Sequence, residues 1–150
     1  MNIQPHEIIG ALAALGVYPP AKVLVKRAVL ANDITGLSGV TTIPWDTGDF
    51  DPLNPTRIYV PPGFSHALIT GMAKVGGTGT AAEWILRNGI NRPIGNNLGE
   101  SAATTDVSIV AQMWPVSGGD YFEMVVNRAT GLTDILSNDF YTSFSLTLFP

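Results

Sequence analysis

The chain contains no cysteine and only two histidines, His6 and His66, in 150 residues. Disulfide bonds, cysteine-ligated zinc and a histidine-rich metal site are therefore excluded. Charge is scarce as well. Asp, Glu, Lys and Arg make up 13% of the sequence, against the ~25% usual in soluble domains. The eight basic residues are spread thinly, and no basic run exceeds Lys26-Arg27. Binding of nucleic acid by neutralising its phosphates is not expected from such a pattern. No apolar run approaches the ~20 residues of a membrane-spanning helix, so no membrane insertion is expected. The stretch from Met1 to Glu7 lacks the positive start of a secretory signal, and no signal peptide is expected. Asn-x-Ser/Thr acceptors are missing too, because Asn54-Pro55-Thr56 carries proline in the middle.

What is present is an apolar fraction of 45%, a net charge of −4, 16 glycines and 11 prolines. The length fits one domain with a real core. So little charge raises the question of what keeps the surface in water. One answer is that part of the surface is hidden between subunits of an assembly.

Residues 1–20 read differently from residues 21–150. Pro5 suits the first turn of a helix, and Ile8, Ile9, Leu12 and Leu15 form a helical apolar stripe. Gly16 is a candidate C-cap, and Pro19-Pro20 forbids continuation. The spacing predicts a short N-terminal helix that needs something to pack on. It either docks on its own domain or inserts as a peg into another protein.

From Ala21 onward the pattern is β. Phe140, Thr142, Phe144, Leu146 and Leu148 alternate with polar residues at period two. Val107, Ile109, Ala111 and Met113 share a face, as do Phe122, Met124 and Val126, and Ala82, Trp84 and Leu86. Ala67, Ile69, Ala73 and Val75 do the same in a longer run. Turn signals separate these runs: Asn32-Asp33, Ser38-Gly39, Gly76-Gly77, Asn88-Gly89, Asn96-Asn97, Gly118-Gly119-Asp120 and Asn138-Asp139. The expected fold is all-β, an antiparallel jelly-roll sandwich with a short N-terminal helix.

Few constellations carry chemistry. Asp46, Asp49 and Asp51 lie in one loop with Gly48, and such oxygen ligands suit a hard cation, although the EF-hand spacing is absent. The competing reading is aspartates that bond their own backbone in turns. Gly77-Thr-Gly-Thr-Ala-Ala82 fits a dinucleotide fingerprint, but Ala82 to Leu86 alternates like a strand where a helix is required. No G-x-S-x-G occurs, and His66, the one histidine after the leader, reads as a surface or interface residue. Glu83, Glu100 and Glu123 show no hydrolase motif. No enzymatic activity and no cofactor are expected. Trp45 and Trp114 lie near loops or strand ends and are candidates for a ligand surface, with Trp114 also suited to a contact between subunits.

A family pattern runs through residues 21–150. It reads Val40-Thr-Thr-Ile-Pro-Trp-Asp-Thr-Gly-Asp-Phe-Asp, then Arg57-Ile-Tyr-Val-Pro-Pro-Gly-Phe, then Arg87-Asn88-Gly89. A V-S-G-G-D-x-F-E-M-x-V segment at Val116 to Val126 and the closing Phe140-Tyr-Thr-Ser-Phe-Ser-Leu-Thr-Leu follow. This order resembles the C1q/TNF-like jelly rolls of phage and gene-transfer-agent virion appendages. The resemblance implies a non-catalytic homotrimer on a virion surface: a head spike, fibre or decoration subunit for host attachment. It further implies anchoring to other virion proteins through the N-terminal segment. Phe140, Phe144, Leu146, Leu148, Phe122 and Trp84 are then expected in the core or at the trimer contact. A jelly-roll module that binds cell-surface glycan through loops 45–56 or 76–80 is the alternative.

Overall fold

The computed structural model describes residues 22–77, 81–94, 106–137 and 142–150. The expected leader helix with Ile8, Ile9, Leu12 and Leu15 lies outside these residues, as do Phe140 and the Asn96-Asn97 and Asn138-Asp139 signals. Among the described residues there are ten strands and no helix. They are β1 (Leu24–Val29), β2 (Ile34–Thr42), β3 (Thr47–Gly48), β4 (Arg57–Tyr59), β5 (His66–Gly77), β6 (Ala81–Arg87), β7 (Ile90–Ile94), β8 (Asp106–Pro115), β9 (Tyr121–Leu136) and β10 (Ser143–Phe149).

Every pairing is antiparallel. One layer runs β3-β1-β10-β5-β8. The other is built on β9, with β2 and β4 along one side and β6 then β7 on the other. The layers join where Lys74–Gly77 of β5 pairs with Thr133–Leu136 of β9. The all-β antiparallel expectation holds.

The core lies between the layers. Ala28, Ala67, Ile69, Phe144, Leu146 and Leu148 come from the first, and Ile58, Ile85, Phe122, Met124 and Ile135 from the second. In β10 the burial alternates without a break, buried at Phe144, Leu146 and Leu148 and half-buried between them. That is the period-two pattern expected of a strand with one face on a core.

Three features depart from the sequence reading. Ser38-Gly39 makes no turn. Gly36 and Gly39 sit inside β2 at φ 68° and 71°, where register shifts interrupt its pairing with β9. The glycines supply the positive φ that a bulge needs. Gly76-Gly77 likewise continues β5 rather than ending it. And β9 extends ten residues past Val126, through a sequence with no clean alternation. By contrast, Asn88-Gly89 forms the expected tight hairpin between β6 and β7, with both residues at positive φ (52° and 69°). A two-residue turn of this kind matches the twist of the strands it joins.

Candidate functional site

The first layer has an outer face as well as a core face. Because side chains alternate, residues between the buried ones point outward. Register aligns them into rows across four strands. Val25, Thr147, Leu68 and Met113 form one row, and Arg27, Ser145, Thr70 and Ala111 the next. Phe149, His66 and Pro115 close one end. Val25 is 58% exposed and Met113 50% exposed, with Val23 beside them. The polar members bond each other, Thr70 Oγ1 lying 2.6 Å from Ser145 Oγ. The basic residues of this face are Arg27 and Lys74, and acids meet them at the rim: Asp49 lies opposite Arg27 beyond the end of β3, and Lys74 interacts with Asp33.

The core between the two layers takes up the described residues expected in the core or at a trimer contact. Phe144, Leu146, Leu148 and Phe122 are fully buried within one chain, so a contact between copies falls to their outward neighbours. Trp84 lies on β6 opposite Val125, and its side chain is outside the described set.

The ligand-surface expectation for Trp45 is corrected. Its ring is 2% exposed and stacks on Phe144, with centroids 6.0 Å apart at 15°. Ile43 and Trp45 continue the inward alternation past the end of β2, and the Trp45 amide donates to the Pro55 carbonyl. Trp114 is half-buried and packs against the core from β8 opposite Ala67. Its outward neighbour, Met113, is the exposed residue.

The three loop aspartates do not converge. Asp46 accepts from the Ala31 and Asn32 amides and the Asn32 side chain; Asp49 accepts from the Arg27 amide; Asp51 accepts from the Leu53 amide and the Asn54 side chain. Among the described residues no group of three His, Asp or Glu side chains could hold a metal ion. Asp33 accepts from the Ser137 amide, Asp134 from Gly36, and Asp120 from Ser117. Asp33, Asp46, Asp49 and Asp134 thus tie segments distant in the chain, whereas Asp51 and Asp120 take an amide of their own turn.

Asp120 is the most embedded of them, 9% exposed. Its Oδ2 accepts from Arg87 Nη2 at 2.6 Å and the Ser117 amide at 2.8 Å, and its Oδ1 from Asn88 Nδ2 at 2.7 Å. Its main chain adds a bond from the Val60 amide at 2.8 Å. One residue thereby ties the end of β4, the β6–β7 hairpin and the β8–β9 loop. Burial pushes its carboxyl up, but the Asn88, Ser117 and Arg87 donors outweigh burial and hold it below the usual carboxylate value.

The second layer carries a polar-aromatic cluster that sequence reasoning missed. Tyr59 and Tyr121 face each other across β4 and β9 with centroids 5.4 Å apart. The Arg57 guanidinium lies 4.3 Å from the Tyr121 ring centre, and its Nε donates to Glu123 Oε1 at 3.1 Å. Thr56 Oγ1 donates to the same oxygen at 2.6 Å. Bonding to Tyr59 and then to Glu123 raises the Arg57 pKa above its ordinary value. Glu123 is 7% exposed although it sits at a polar position of the alternation. The signal available in sequence was Arg57 and Glu123 in short strands, but their pairing is a matter of register.

Two antiparallel layers with this strand order define a TNF-like jelly roll. No family model matches the chain, and no curated protein matches it in sequence. Solved structures do match in fold. A crystal structure of murine APRIL at pH 8.5 superposes with a TM-score of 0.59 at 18% identity, over 85% of this chain and 100% of that one. Another, at pH 8.0, gives 0.61 at 15% identity with the same coverage. At such identity the likeness shows the fold alone.

Proposed function

We propose that this chain is a non-catalytic structural subunit of a virion appendage, a head spike, fibre or decoration protein. Three copies assemble through the outer face of β1, β10, β5 and β8 and display the jelly roll at the virion surface. The observation that carries the reading is that face: aligned exposed apolar side chains and hydroxyls bonded to each other. A lone chain would leave this surface in water, and a closed oligomer hides it. Residues 1–20 anchor the assembly to other virion proteins in this reading.

The test is sedimentation of the purified chain. The expected species is a trimer, and Met113→Lys, placing a charge on the β8 side of the contact, is expected to yield folded single chains. A wild-type chain that sediments as a monomer at micromolar concentration removes the reading. Deletion of residues 1–18 is expected to leave the trimer intact but unable to join the particle.

The carbohydrate-binding reading is favoured by one specific feature. The Arg57–Tyr59–Tyr121 cluster is half-exposed, fixed by several contacts and set on the layer opposite the proposed contact between copies. Tyrosine and arginine held rigid in this way are typical of recognition surfaces. Tyr59→Ala is expected to abolish binding on a glycan array, and equal binding by both proteins refutes the assignment.

A further inference from the structure

The sequence contains one Asn-Gly pair, Asn88-Gly89, and the fold sets it at the exposed tip of the β6–β7 hairpin. Asparagine before glycine is the arrangement most open to self-modification, because glycine has no side chain to shield its backbone nitrogen from the neighbouring carboxamide. At Asn88 both ends of that carboxamide are held. Nδ2 donates to Asp120 Oδ1 at 2.7 Å, and Oδ1 accepts from the Tyr121 amide at 2.9 Å. The Asn88 amide in turn donates to the Tyr121 carbonyl at 2.9 Å. A Cβ at Gly89 would lie 2.9 Å from the Tyr121 hydroxyl, so the tip of the hairpin sits against the end of that side chain.

We propose that Asn88 is a site of spontaneous deamidation that its bonds to Asp120 and Tyr121 hold shut in the folded chain. In the reaction the Gly89 backbone nitrogen attacks the Asn88 side-chain carbonyl carbon. The new carbon–nitrogen bond closes a succinimide ring, the Gly89 N–H proton passes to the leaving nitrogen, and ammonia departs. Water then opens the ring. Attack at one carbonyl leaves aspartate, and attack at the other leaves isoaspartate, with the main chain rerouted through the side chain. Solvent water is the sole co-reactant, and nothing is oxidised or reduced. The ring closes only when the carboxamide turns toward Gly89, so the rate in the folded protein follows the local opening of the hairpin.

The product cannot return to the same geometry. Aspartate puts an acceptor where Nδ2 now donates to Asp120 Oδ1, so two carboxylates face each other. Isoaspartate adds a carbon to the main chain at a residue held at positive φ, and the two-residue turn loses its fit to the strands. Tyr121 feels either change, because its amide and its carbonyl both bond Asn88. Its ring lies beside Tyr59 and under the Arg57 guanidinium. Ageing at the hairpin tip therefore reaches the polar-aromatic cluster of the second layer, in one direction and without an enzyme. The step needs a single chain alone and is independent of the assembly proposed above.

The experiment is incubation of the full chain in mildly alkaline buffer, with peptide mapping by mass spectrometry to follow aspartate and isoaspartate at position 88. Wild type is compared with and without urea, and with Asp120→Ala in buffer, with circular dichroism as the check on folding. In urea, Asn88 is expected to be modified ahead of the other asparagines; an intact Asn88 there overturns the site. Folded wild type is expected to react at least about tenfold more slowly than in urea, and Asp120→Ala about tenfold faster than folded wild type. Equal rates with and without urea overturn the restraint, and equal rates in folded wild type and Asp120→Ala remove Asp120 from it. Where Asp120→Ala is unfolded, Asp120→Asn, which keeps the size of the side chain, takes its place. Aged wild type is expected to exchange amides faster in the β6–β7 hairpin and at Tyr121 than fresh protein, and unchanged exchange overturns the link to the cluster.

Discussion

Phe144→Ala is expected to lower the unfolding free energy by about 4 kcal/mol, in the range of large-to-small changes at buried aromatics. The ring is fully buried in β10 and stacks on Trp45, so truncation removes apolar contacts from both layers and leaves a cavity beside the indole. Urea unfolding followed by tryptophan fluorescence measures it. The control is the next residue, Ser145→Ala, which points to the outer face and is expected to change stability by under about 1 kcal/mol. A Phe144→Ala shift as small as that of the control would place Phe144 outside the core. The pair also separates the two faces of one strand. Substitutions at Phe144, Leu146 and Leu148 are expected to act on the fold, and those at Ser145 and Thr147 on the association of copies.

Asp120→Ala is expected to cost about 2 kcal/mol, because removing the shared acceptor of a part-buried network leaves its donors unpaired. Arg87, the Asn88 side chain and the Ser117 amide all lose their acceptor. Asn88 is affected twice, since it holds a positive φ and its Oδ1 accepts from the Tyr121 amide. Thermal unfolding reads the cost, and amide exchange is expected to speed up in the β6–β7 hairpin and the β8–β9 loop together. Exchange that rises in only one of these would show that Asp120 does not couple them. The same residue sets the acid limit. Asp33, Asp51 and Asp120 have carboxyls held below the ordinary 3.8. A depressed folded-state value contributes stability that is present above the ordinary value and is lost as pH falls through the folded one. Unfolding in acid is therefore expected below about pH 4, with wild type losing more there than Asp120→Ala.

Much of the fold is legible in the sequence because its strands bury one face each. Phe144, Leu146 and Leu148 announce β10 by alternation, and Asn88-Gly89 announces its hairpin by chemistry. What stays hidden depends on partners distant in the chain. Alternation says that β10 has two faces, and only the second layer decides that Phe144 looks inward to a core rather than across to another copy. The alternation that buries Ile43 and Trp45 spans only three residues around Pro44, too short to read, so a core tryptophan reads as a loop tryptophan. Glu123 lies among polar positions yet is buried, because Arg57 and Thr56 reach it from another strand. Ser38-Gly39 carries the composition of a turn, and the same positive φ serves a bulge when β9 continues alongside. The candidate functional face was legible only in its composition, as missing charge. Its location needed the register that lines up Val25, Thr147, Leu68 and Met113.

β10 stands between β1 and β5, and this has a consequence for the order of events during synthesis. Leu24 finds its partner in Leu148, and Ala67 finds its partner there too. Until Ser143 to Phe149 have been synthesised, β1 has only the two-residue β3 beside it, and the inner side of β5 is open along most of its length. The second layer is complete earlier, since β9 precedes β10. The chain therefore waits half-built with an apolar sheet face uncovered, a stage at which slow, long-range strand pairing leaves nascent proteins open to aggregation. Of the described strands, β10 emerges after the others and closes the sandwich, and the same event creates the outer face on which copies can meet.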